Sequence, residues 1–178
     1  MQFEFQNTLD PRIAIFKQSE TYSFLNRLFF KEEDSLDQMC QELVMSYERG
    51  QEIIQHLNTK LPPHYGISIQ PSPLVMEGTE EDIRAFYLDY FSQSYDFLDW
   101  PFPSISEESL THLIQLFLNA QQVSPNLSSL RQIKYTLAIN LERFNKRHLI
   151  ENPTPLLTSH YSSLMQIPQF EENIKKIA

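Results

Sequence analysis

The chain has 178 residues, 41 % of them hydrophobic and 21 % charged, with a formal net charge of −9. That length buries a core without metal or disulfide staples, and the composition is globular rather than disordered. The single cysteine, Cys40, rules out an intrachain disulfide, while three scattered glycines exclude phosphate-cradling loops and dinucleotide fingerprints.

The chain reads as one domain, residues 1–178. Its first residues, Met1-Gln2-Phe3-Glu4-Phe5, lack the basic start and apolar run of a secretion signal. No stretch approaches the roughly 18 apolar residues that span a bilayer. The expectation is a cytoplasmic protein.

Asp10-Pro11 supplies an N-cap and a proline at the first helical position, so a first helix is predicted over 11–31. A second follows over 35–59. There Leu36, Cys40, Leu43, Tyr47, Ile54 and Leu57 recur in steps of three and four, with one gap at Gly50. Residues 60–78, with Pro62, Pro63, Gly66, Pro71, Pro73 and Gly78, predict one long Pro-rich loop. Within it, Ile67-Ser68-Ile69 can form a short extended piece, paired with Phe3 and Phe5. Gly66-Ile67-Ser68-Ile69-Gln70 ends in glutamine where a nucleophile elbow needs its second glycine.

Thr79 followed by Glu80, Glu81 and Asp82 starts a third helix over 79–98, with carboxylates at its positive end. A fourth runs over 105–121 from Ser104 or Ser106, and a fifth over 125–150 behind Ser124-Pro125. The fifth carries an apolar stripe of Leu130, Ile133, Leu137, Leu141, Phe144 and His148. Short helical pieces over 157–166 and 168–177 close the chain. The fold class is therefore all-α: an irregular bundle of about five main helices plus short C-terminal segments.

Charge is concentrated in one window. From Glu77 to Glu108 there are nine acidic residues, one base (Arg84) and eight aromatics. On a wheel of about 100° per residue, Ile83, Phe86, Tyr87, Tyr90, Phe97 and Leu98 share a face, and Asp82, Asp89 and Asp96 form a stripe beside it. The turn Asp99-Trp100-Pro101-Phe102-Pro103 is stiff and aromatic. Aromatics dominate interface hot spots, so Asp89, Tyr95, Asp96, Asp99, Trp100 and Phe102 are read as a partner-binding surface. The fifth helix has five bases against one acid between Arg131 and Arg147. These cations can pair with the acidic window or meet a nucleic acid, although five bases on one helix are more often a solvated face.

Metal and cofactor chemistry find no support in the sequence. Glu48, Glu52 and His56 ascend the second helix opposite its apolar stripe, and Glu108 and His112 do the same on the fourth, whereas bundle ligands must face inward. His148 and Cys40 lie on apolar stripes and read as packing. With no catalytic signature legible, the reading is a non-catalytic interaction module, such as an adaptor, inhibitor or specialised chaperone, docking a basic or amphipathic protein through the acidic–aromatic helix. The negative charge argues against nucleic acid as a partner. The alternatives are a small helical enzyme or ligand-binding protein with a scattered site, and a nucleic-acid-linked or nucleic-acid-mimicking protein.

Overall fold

A computed structural model describes residues 17–31, 35–95 and 99–150. Among these residues the protein is mostly helical, as expected: α1 (Glu20–Phe30), α2 (Leu36–Glu42), α3 (Tyr47–Tyr65), β1 (Ser68–Pro71), β2 (Leu74–Glu77), α4 (Glu80–Ser94), α5 (Glu107–Ala120) and α6 (Leu127–Asn145). The chain forms two compact units whose boundary falls inside α4, between Phe86 and Tyr87. The C-terminal pieces predicted over 157–166 and 168–177, and the Phe3–Phe5 segment, lie outside the described residues.

In the first unit, the predicted helix 11–31 is interrupted at Gln18–Ser19, after the helical Lys17. The Ser19 hydroxyl accepts a hydrogen bond from the Tyr22 N–H at 3.1 Å and starts the helix at Glu20. Its inward face carries Phe24, Leu25, Leu28 and Phe29, all buried.

The predicted helix 35–59 is two helices. Ser35 caps α2, and the chain then turns at Leu43–Ser46 with Val44 at φ 56, before Ser46 caps α3 by accepting from the Arg49 N–H at 3.2 Å. The break is invisible to periodicity because four turn residues nearly equal one helical turn, so apolar spacing stays in phase across it. Leu36, Cys40, Ile54 and Leu57 are buried, but Leu43 is half-buried in the turn and Tyr47 is exposed.

The predicted loop 60–78 is likewise replaced by regular structure. α3 continues through Pro62 and Pro63 to Tyr65, where Gly66 (φ 68) closes it by donating its N–H to the Pro62 carbonyl at 3.0 Å. Pro62 and Pro63 each lack the N–H that would bond back to residue i−4, and α3 ends at Tyr65, within three residues of them; the next two prolines, Pro71 and Pro73, stand at the tip of a hairpin. β1 and β2 pair antiparallel with Ile69 opposite Met76, and the tip contains a cis Ser72–Pro73 bond. The extended reading of Ile67-Ser68-Ile69 thus holds in part, since Ser68 and Ile69 open β1, which pairs with residues 74–77. Alternation is clean: Ile67, Ile69, Leu74 and Met76 are buried while Gln70 and Glu77 are exposed.

In α4, Thr79 caps the first turn through its hydroxyl (Asp82 N–H, 3.2 Å). Ile83, Phe86, Tyr87 and Tyr90 are buried as the wheel places them, joined by Phe91; Phe97 and Leu98 lie outside the described residues. The second unit adds α5, capped by Ser106, and α6, capped by Asn126 (Ser129 N–H, 2.8 Å) rather than by Ser124. Its core is aromatic, with ring centroids of Phe91 and Phe102 at 4.9 Å, Trp100 and Phe102 at 5.1 Å, and Phe102 and Tyr135 at 5.8 Å.

α6 does not bury the face its apolar stripe predicts. The buried residues are Tyr135, Ala138, Ile139, Glu142 and Arg143, whereas Leu130, Ile133, Leu137 and His148 are half-buried and Phe144 is exposed. Tyr135 is the reason: its ring joins Trp100 and Phe102, and its hydroxyl donates to the Asp99 carbonyl at 3.3 Å. That aromatic contact turns the charged side of the helix inward. Burial pushes the Glu142 carboxyl above its usual range, opposed by nearby Lys146.

Candidate nucleic-acid interface

Two helices joined by a four-residue turn, followed at once by a hairpin, form the first unit's most distinctive arrangement. Three local features fix it. The first is Gly50, buried where α3 meets α2: a Cβ there would overlap the Cys40 sulfur and lie 3.1 Å from Leu36 Cδ1. Only a residue without a side chain allows so close an approach.

The second is Asn58. Its amide donates to the Ile69 carbonyl at 2.9 Å and accepts from the Ile69 N–H at 2.8 Å. One side chain thus stands in for a neighbouring strand and ties the hairpin to α3. The third is Arg49, in the first turn of α3. Its Nε donates to Glu20 of α1 at 2.7 Å and its Nη1 to Glu52 at 2.9 Å. Both pairs are solvent-exposed, so they orient the guanidinium more than they stabilise the fold.

These contacts occupy the flanks of α3 and leave one outward face. Gly50, Ile53, Ile54, Leu57 and Leu61 point into the unit, and Glu48, Gln51, Glu52, Gln55 and Thr59 are exposed. Such a face offers amide and carboxylate groups to base edges: glutamine can pair bidentately with adenine, and glutamate can accept from cytosine. Sequence reasoning passed over it because α3 is not basic. The usable signal lay in Ser46, an N-cap residue in mid-stripe, and in Gly50.

The residues predicted as a partner-binding surface are placed differently. Phe102 is 0 % exposed, and Trp100 is half-buried with its indole N–H donating to the Ile105 carbonyl at 2.7 Å. Asp89 is exposed, Tyr95 and Asp99 are half-buried, and Asp96 lies outside the described residues. The bases of α6 are used within the second unit. Arg131 donates to the carbonyls of Ser92 (3.1 Å) and Tyr95 at the end of α4, a helix with no base in its own last turn. Lys134 pairs with Glu107 and lies 5.7 Å from the centre of the Trp100 ring, while Arg143 is 1 % exposed.

Comparison with known proteins agrees with the first unit. Residues 7–91 match the family described as the Mga helix-turn-helix domain. A protein of Streptococcus pneumoniae serotype 4 named as a trans-acting regulator is 34 % identical over 136 residues, 76 % of this chain and 28 % of that protein. The capsule synthesis positive regulator AcpB of Bacillus anthracis is 23 % identical over 137 residues, 77 % of this chain and 28 % of its own length. The anthrax toxin expression trans-acting positive regulator of the same organism is 26 % identical over 174 residues, covering 87 % of this chain and 36 % of that protein. The chain therefore spans only a minor part of the length of these curated relatives.

These findings overturn two expectations from the sequence. The similarity is to a helix-turn-helix domain and to regulators, not to a docking adaptor, so the reading of the chain as a protein-docking module falls. The argument from net charge against nucleic acid falls with it, because the matched region turns on helix geometry, which a net charge does not sense.

Proposed function

We propose that this chain carries the sequence-reading DNA-binding part of a transcription regulator, with α3 entering the major groove and the β1–β2 hairpin beside it. The observation that carries this reading is the α2–turn–α3 arrangement, closed at Gly50, within the residues that match the Mga helix-turn-helix domain. Regulators of this name act in trans in the relatives, and positive control of transcription is the corresponding proposal here. A cytoplasmic location fits it.

The charge of the first unit shapes how such binding works. Among its described residues, nine acids (Glu20, Asp37, Glu42, Glu48, Glu52, Glu77, Glu80, Glu81, Asp82) face six bases (Lys17, Arg27, Lys31, Arg49, Lys60, Arg84). Phosphate neutralisation, the sequence-independent part of affinity, is therefore small, and base contacts carry a larger share. Gln51 and Gln55, one turn apart on the outward face, are the best placed to supply them.

The test is in vitro selection from a random duplex library with the whole chain, followed by binding measurements on the enriched site. Changing Gln51 and Gln55 together to Ala should weaken that site at least about tenfold, since each bidentate pair contributes about 1–3 kcal/mol of discrimination. Stability should stay within about 0.5 kcal/mol, because both side chains are exposed. A library that yields no enriched site, or a double variant that binds it unchanged, would overturn the proposal.

A further inference from the structure

Among the described residues of the first unit, two large hydrophobic side chains are exposed: Val44 at 92 % and Tyr47 at 42 %. Both stand at one corner, where the turn after α2 enters α3. Tyr47 also begins a line along α3, with Gln51 and Gln55 following at intervals of four on the same exposed face. The outward face therefore has amides along its length and apolar groups at its leading end.

Stability does not account for Val44. The Met45 N–H donates to the Cys40 carbonyl at 3.0 Å, and the Val44 N–H to the Gln41 carbonyl at 3.2 Å. This pair of bonds closes α2 and puts Val44 at φ 56, a left-handed position that glycine or asparagine usually occupies. Glycine would relieve the strain there, and valine gains no burial in return. Strain of this kind, held in place by a well-bonded turn, persists where a side chain is needed for an outside contact.

In the major groove an apolar side chain has one partner among the base edges. Those edges present hydrogen-bonding atoms and a single apolar group, the C5-methyl of thymine. Within a helix-turn-helix motif, the N-terminal residues of the second helix are the ones that reach them. On the basis of the DNA-reading function proposed above, we infer that Val44 and Tyr47 form a thymine-specificity site, packed on the C5-methyl of one or two thymines beside the base read by Gln51. A step of four residues along a helix advances about 6 Å, or about two base pairs at ~3.4 Å each. The thymines therefore lie within about three base pairs of the position whose preference is lost in Gln51→Ala.

The experiment uses the whole chain and the duplex enriched by selection. Its thymines are replaced one at a time by deoxyuridine, which removes only the methyl group. At one or two positions uracil should weaken binding about three- to fourfold, the effect of one buried methyl. Bromodeoxyuridine, whose 5-bromo group fills the space of the methyl, should restore binding. In the Val44→Ala, Tyr47→Ala double variant, uracil and thymine should bind alike, while the preference set by Gln51 remains. If that variant loses stability, the uracil series on the unaltered chain still decides. Uniform indifference to uracil, or equal uracil sensitivity in the double variant, would overturn this assignment and leave the reading of Gln51 and Gln55 standing. A corner that contacts another protein gives the first of these results. A library with no enriched site removes the DNA-reading proposal itself, and the thymine site with it.

Discussion

The helices α3 and α6 invert what their charges suggest. Between Arg131 and Arg147 the chain sets five bases against one acid, the pattern that sequence reasoning associates with a nucleic-acid face. In the structure Arg131 holds the end of α4, Lys134 pairs with Glu107, and Arg143 is enclosed. The α3 helix has two acids and two bases, Glu48, Glu52, Arg49 and Lys60, and it is this helix that lies within the Mga match and presents an open polar face. A count of charges along a helix does not say where they end. Location is decided by the neighbours: an aromatic cluster drew α6 inward on its charged side, whereas Gly50 and Asn58 anchored α3 by its back and flank and left its front exposed to solvent.

The comparison can be broken most severely at Phe102. If the turn before α5 is core rather than surface, Phe102→Ala should lower stability by about 3–5 kcal/mol, the usual effect of truncating a fully buried aromatic. Chemical denaturation followed by circular dichroism measures it. A change under about 1 kcal/mol would mean that the ring is peripheral and that α6 does not bury its charged side on it.

The matching test in the first unit is Gly50→Val. The added branches must displace Cys40 or push α3 away from α2, and overpacking of this kind typically destabilises by about 1–3 kcal/mol. DNA binding by the variant should fall along with stability, unlike that of the Gln51 and Gln55 double variant. Unaltered stability would show that the two helices are not in close contact at this position.

Val44 offers the smallest effect and the opposite sign. A β-branched residue at φ 56, with its side chain 92 % exposed, is strained and gains no compensating burial. Val44→Gly should raise stability by about 1 kcal/mol, seen as a higher denaturation midpoint. A loss instead would place Val44 outside the left-handed region and redraw the turn between α2 and α3.

Helical caps were legible in part. Thr79, Ser106 and the acidic first turns of α4 and α5 mark real starts, because capping is a contest among neighbours in sequence and needs nothing distant. The cap at Ser46 was overlooked because apolar spacing continued in phase across it. The prolines of residues 60–78 signalled disruption correctly but not its form: two of them precede the end of α3 by a few residues and two stand at a hairpin tip. For the candidate site, the acidic–aromatic window drew attention by composition, while Gln51 and Gln55 carry no signal of their own.

By itself the sequence determined the helical class, the lack of phosphate-binding loops, the apolar face of α4 and the local starts of several helices. All of these follow from short-range spacing and from glycine count. Tertiary structure alone decided that Gly50 is a contact point, that Asn58 binds the hairpin, and that the bases of α6 turn inward while the polar face of α3 stays open. Those outcomes depend on which side chains meet across tens of residues, as Arg49 meets Glu20 and Arg131 meets Ser92. Periodicity in one segment can show that a helix has two faces, but the packing partner selects which one is buried.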